Sequence, residues 1–130
     1  MKRIRIYPFS LLLLILIFLL STFFKGNISI RQLNHADKIG HFLAYMTLSS
    51  VFLIEFHKKF RWSNVHVRSS IPFLLLFVVY GIAMEIVQWA FFKGRTAEMA
   101  DIAANSTGIV AGALLYSYVI FPLLRRIRND

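Results

Sequence analysis

Cysteine is absent from this chain of 130 residues, so neither a disulfide nor thiolate chemistry arises, and the redox compartment is left open. Acidic residues are scarce: six Asp and Glu stand against fifteen Lys and Arg. Such a basic excess points to nucleic acid when it forms a face. Here the cations fall between long apolar runs, which excludes that partner. No glycine-rich phosphate loop and no serine or cysteine nucleophile motif is present. What the chain does have is apolar surface: 58% of its residues are hydrophobic and the mean hydropathy is +0.64, too apolar for a soluble domain that must cover its core with polar side chains. The composition describes one small membrane domain over residues 1–130.

Four segments are apolar and long enough to cross a bilayer as helices: Ile6 to Phe24, Ile39 to Phe56, Ile71 to Phe92 and Ile102 to Phe121. The second carries His41, Tyr45 and Glu55 and needs Asp37 and Lys38 to reach full length. The first begins like a signal peptide, with Lys2, Arg3 and Arg5, but its apolar stretch is longer than a usual h-region and no A-x-A site follows, so it reads as a retained anchor. The expected fold is therefore all-α, a polytopic bundle of four transmembrane helices. Ten basic residues fall in the N-terminus, the 57–70 loop and the C-terminus, whereas only five (Lys25, Arg31, Lys38, Lys93 and Arg95) lie in the other connections. The positive-inside rule then makes both termini cytoplasmic.

Glu85 is the feature that most needs a reason. Of the twenty-two residues from Ile71 to Phe92, only Glu85 and Gln88 are strongly polar. An acid at the centre of a membrane helix costs about 3 kcal/mol on insertion scales, so such acids face a bundle interior or a cavity. The orientation also puts the other unusual polar residues at the same outer end: Asp37, Lys38, His41 and Tyr45 on the second segment, Lys93 and Arg95 in the outer turn, Asp101 and Asn105 on the fourth. Asp37, His41 and Tyr45 share one helix face, as do Gly81, Glu85 and Gln88. Asp101, Asn105, Gly108 and Gly112 form a third stripe, in which the two glycines allow close backbone approach and mark the packing seam.

Each residue also has a plainer reading. His41 alone suits an interfacial histidine, Asp101 with Thr96 a helix cap, and Asn105 and Gln88 interhelical hydrogen bonding. Glu55 suits a solvated pair with Lys58 and Lys59, Trp62 and Trp89 interfacial anchors, and Lys93 and Arg95 snorkelling cations. Glu85 resists such readings best, and the coincidence of depth and face favours a joint site or an ion-paired polar core.

The segments Asp37-Lys38-x-x-His41-Phe42-x-x-Tyr45, Gly81-x-x-x-Glu85-x-x-Gln88, and Arg95 followed by Asp101-x-x-x-Asn105-x-x-Gly108 resemble the signature of VanZ-like membrane proteins. The resemblance covers residues 37–112, with the 6–24 anchor preceding it. It implies a multi-pass protein of the bacterial cytoplasmic membrane, in a family whose founding member is associated with resistance to the glycopeptide teicoplanin. It supplies no reaction and no cofactor.

From the residues themselves, His41 beside a carboxylate can serve as an acid/base pair, and Glu85 can hold or relay a proton. Arg95, Lys38 and Lys93 can grip a phosphate or carboxylate. The expected partners are membrane lipids and an anionic amphiphile: a lipid headgroup, a lipid-linked wall precursor or a lipid-tailed antibiotic. A metal held by His41, Glu85 and Asp101 matches no ligand-spacing motif, and no cofactor is expected. Three classes of function follow: a binding or shielding protein, an intramembrane enzyme, and an accessory subunit or small proton-coupled transporter. A transporter needs polar groups that continue to the inner face, where the sequence offers Glu55.

Overall fold

A computed structural model describes residues 7–23, 34–60, 67–91 and 98–129. Lys93 and Arg95, together with Lys2, Arg3, Arg5, Lys25, Arg31, Arg61, Trp62 and Thr96, lie outside the described residues. The chain is all-helical, and the described residues contain no strand. Helix α1 runs Pro8–Phe23, α2 Asn34–Lys59 and α3 Ile71–Phe91, the last entered through a 3-10 turn at Val67–Ser70. Helix α4, Met99–Leu115, continues through a π turn at Tyr116–Ile120 into α5, Phe121–Asn129. Three of these units are long and apolar enough to cross a membrane: 36–59, 67–91 and 99–128. At 16 residues α1 is about 24 Å long, shorter than a hydrocarbon core of about 30 Å.

Solvent preference is inverted relative to a soluble bundle. Leu12, Leu76, Val79 and Val110 are exposed, while His41, Ser49, Ser50, His57, Glu85, Gln88, Asp101 and Asn105 are buried. Lipid makes that arrangement favourable, because polar groups facing hydrocarbon cost more than apolar ones do.

Helices α2 and α4 run parallel and share the most extensive packing in the molecule. Their closeness follows from two glycines. A Cβ at Gly108 would collide with the carbonyl of Phe42, and one at Gly112 with the Met46 carbonyl and the Ser49 hydroxyl. Ser49 Oγ donates to the carbonyl of Ile109 at 3.0 Å, and Ser50 Oγ to that of Gly112 at 3.1 Å. The seam is thus backbone against backbone, tied by hydroxyls that have no water to bond instead.

Helices α1 and α3 return in the opposite direction. At one end Tyr7, Phe52, Phe56, Phe73 and Phe77 interlock, with Phe77 edge-on to Phe52 at 5.2 Å. Tyr80 on α3 donates to the Leu14 carbonyl of α1 at 2.8 Å. Pro8 occupies the first turn of α1, where no intrahelical N–H bond is lost. The next amide groups, Phe9 at 2.9 Å and Ser10 at 3.0 Å, donate to the Glu55 carboxylate. This corrects the reading of Glu55 as a solvated partner of Lys58 and Lys59. The carboxylate is turned inward because the free N–H groups and positive dipole end of α1 bind it in a way an exposed ammonium cannot. Lys59 instead lies over the Tyr7 ring, 4.8 Å from its centroid.

Candidate functional site

At the opposite end, the first turns of α2 present Asp37, Lys38 and His41 toward the first two turns of α4, while Tyr45 lies against Gly81 and Tyr80 of α3. His41 Nδ1 lies 3.0 Å from Asn105 Oδ1. A carboxamide oxygen only accepts, so Nδ1 carries the proton and Nε2 is left facing Asp37 Oδ1 at 3.5 Å. Lys38 Nζ is bonded to Glu98 at 2.8 Å and lies 3.7 Å from Asp101 Oδ1.

Helix α3 meets this pair at Gly81. A Cβ there would stand 3.1 Å from Asn105 Nδ2 and 3.4 Å from the Tyr45 ring, so the glycine lets three helices converge on Asn105. One turn further along α3 lies Glu85, fully buried and an electrostatic neighbour of Tyr45. Gln88 is also buried and reaches the Ser21 carbonyl of α1 at 3.5 Å, a long contact. Arg95 and Lys93 fall outside the described residues, so a pairing of Glu85 with Arg95 is not described.

Asp101 does not cap its helix. The N-cap of α4 is Glu98, which makes no side-chain cap bond, and Asp101 sits in the first turn with its carboxylate buried between helices. The groups of metal-ligating type that come together among the described residues are Asp37, His41 and Asp101, with donor atoms within 4.8 Å of one another. That set differs from the His41, Glu85 and Asp101 combination considered from spacing, because the i, i+4 step from Asp37 to His41 puts both on the α4 side of α2. Three buried polar atoms here have no hydrogen-bond partner among the described residues: Tyr45 OH, Asp101 Oδ1 and Asn105 Nδ2.

Sequence reasoning missed several polar groups deeper in the bundle. Ser49 and Ser50 tie the seam, and His57 is buried near the Glu55 end, donating from Nδ1 to the Leu53 carbonyl at 3.1 Å beside the rings of Tyr116 and Phe121. The π turn brings Tyr116 and Phe121 together around that ring. The available signal was the adjacent serine pair and a lone histidine within an apolar helix. Glu55 is therefore not the only polar residue in that half, although the serine hydroxyls are engaged by carbonyls.

Comparison with curated proteins and with solved structures found no match. Residues 3–122, nearly the whole chain, match the VanZ/LLP1 family. With its apolar spanning helices, buried polar residues and family match across both, the chain is a multi-pass membrane protein belonging to the VanZ/LLP1 family.

Proposed function

We propose that the Asp37 end of the bundle binds the polar headgroup of an envelope lipid or of a lipid-tailed molecule, holding or shielding it at the outer face of the bacterial cytoplasmic membrane. The observation that carries this reading is a pair of buried polar atoms with no hydrogen-bond partner among the described residues, Tyr45 OH and Asn105 Nδ2, beside Asp101 Oδ1, which has only the 3.7 Å ion-pair contact with Lys38. Unpaired buried polar atoms cost about 1–3 kcal/mol each, and a headgroup that bonds them recovers that cost. Lys38 is partly exposed beside them, and apolar Ile39 and Leu43 on the outer surface of α2 offer a path for an acyl chain. The ten-to-five asymmetry of basic residues supports placing this end outside and both termini in the cytoplasm. A lipid-tailed glycopeptide such as teicoplanin has the amphiphilic form required, so a resistance role is one version of the same reading.

An intramembrane enzyme acting on a lipid-linked substrate is the second reading. It is favoured by the His41 ring, fixed through Nδ1 by Asn105 and flanked at Nε2 by Asp37. One experiment separates the two. Protein purified into nanodiscs is incubated with bacterial lipid extract and with teicoplanin, with and without its acyl tail, and retained and released molecules are identified by mass spectrometry. Binding predicts selective retention of an amphiphile by the wild type, reduced in Tyr45→Phe and Asn105→Leu, with no chemical change. Product formation supports the enzyme, and identical lipid profiles for wild type and variants end the binding reading.

A further inference from the structure

We propose that Asp37, His41 and Asp101 form a binding site for a divalent first-row transition-metal ion, Zn2+ or a cation of the same size and ligand preference. Two carboxylates and one imidazole, from two helices, bring donor atoms within 4.8 Å of one another. Tetrahedral ligands at roughly 2.1 Å from zinc stand about 3.4 Å apart, so Nε2 of His41 and Oδ1 of Asp37, at 3.5 Å, are already spaced for a shared ion. Asp37 is the most exposed of the three, at 21% for its side chain.

Independent features point to the same ligand. Asp101 is 94% buried by its 6% exposure, and its Oδ1 has no hydrogen-bond partner among the described residues. Lys38, bonded to Glu98 at 2.8 Å, is an ion-pair neighbour of that oxygen at 3.7 Å, a positive charge with which a bound cation competes. Asn105 Oδ1 accepts from His41 Nδ1, which orients the ring with Nε2 toward Asp37; an outer partner of this kind orients most metal-bound histidines. The bound ion would leave one or more coordination positions toward the partly exposed Asp37 and Lys38 side, open to water or to an anionic group.

The site shares Asp101 with the headgroup reading, but its test uses no lipid ligand and turns on Asp37→Asn, so failure of metal binding and failure of lipid retention are read separately. Tag-free full-length protein in detergent is dialysed against Zn2+, and separately against Co2+ as a spectroscopic probe. The expected result is about one ion per chain, with visible Co2+ bands of a low-coordinate N/O site. Asp101→Asn and Asp37→Asn should each remove stoichiometric binding, while Glu55→Gln keeps it. Asn105→Leu should weaken binding about 10- to 100-fold without removing a ligand. Lys38→Met should tighten it about tenfold or more, because a neighbouring positive charge is removed. Gel filtration and circular dichroism identify any variant that fails to fold; Asp37→Asn, near water, keeps the ligand test decisive. Less than stoichiometric binding by the wild type, or equal binding by wild type and Asp37→Asn, overturns the proposal.

Discussion

Ser10 and Glu55, forty-five residues apart, are joined twice: the Ser10 amide and the Ser10 hydroxyl both donate to Oε2 of the Glu55 carboxylate. With the Phe9 amide on the other oxygen, a side chain of α2 serves as the N-terminal cap of α1. Loss of a helix cap costs about 0.5–2 kcal/mol, and here the same bonds also dock one helix on another. Glu55→Ala should therefore lower the thermal unfolding midpoint in detergent and make α1 more accessible to protease, with Ser10→Ala showing a smaller effect. An unchanged midpoint in Glu55→Ala would refute the capping role.

Glycine substitutions should separate by place. Gly108→Ala and Gly112→Ala put a methyl group into the backbone of α2 and should destabilise by about 1–3 kcal/mol, as overpacking does. Gly40 has nothing within 4 Å of a built Cβ, so Gly40→Ala should be neutral or stabilise by up to about 1 kcal/mol through helix propensity. Unfolding in graded SDS measures all three, and equal tolerance of Gly40→Ala and Gly112→Ala would contradict the close seam.

Depth should decide how costly a lost charge is. Glu85 is buried in α3, whereas Ile86 beside it is exposed on the same helix. Glu85→Ala should abolish lipid retention or folding, and Ile86→Ala and Lys93→Ala should leave both nearly unchanged. Glu85→Gln sorts the cause: retained stability with lost retention assigns the carboxylate to binding, and lost stability assigns it to the polar core. Wild-type behaviour of Glu85→Ala in both assays would remove Glu85 from either role.

Orientation is open to direct measurement because the chain has no cysteine to interfere. Asn34→Cys at the start of α2 should react with a membrane-impermeant thiol reagent added outside, and Ser69→Cys, exposed before α3, only after the membrane is opened. The reverse pattern would invert the topology.

What the sequence disclosed and what it concealed have the same physical origin. Apolar runs long enough to cross a bilayer are written locally, so the helices and the family were legible, and so was the i, i+4 relation of Asp37 to His41. Partner choice across helices is not local. Nothing in the sequence around Glu55 says that its carboxylate turns to the amides of α1, since lysines three and four residues away offer an equally good partner on paper. The position of Asp101 between helices was hidden by its place near a helix start, where a cap is the ordinary expectation; its burial is decided by how closely Gly108 and Gly112 let α2 approach. The binding of Ser49 and Ser50 to carbonyls of α4 likewise depends on that approach.

The glycine seam also fixes the reading frame of the fourth helix. Asp101 and Asn105 reach the mouth of the bundle from the same stripe as Gly108 and Gly112, and that stripe is held in register by the serine hydroxyls. Inserting one residue between Asn105 and Gly108 would turn everything before it by about 100° relative to the glycines, carrying the acid and the amide away from His41. A residue gained or lost within 101–112 therefore breaks the alignment of the acid and the amide with the glycines, so the four positions work only at their present spacing.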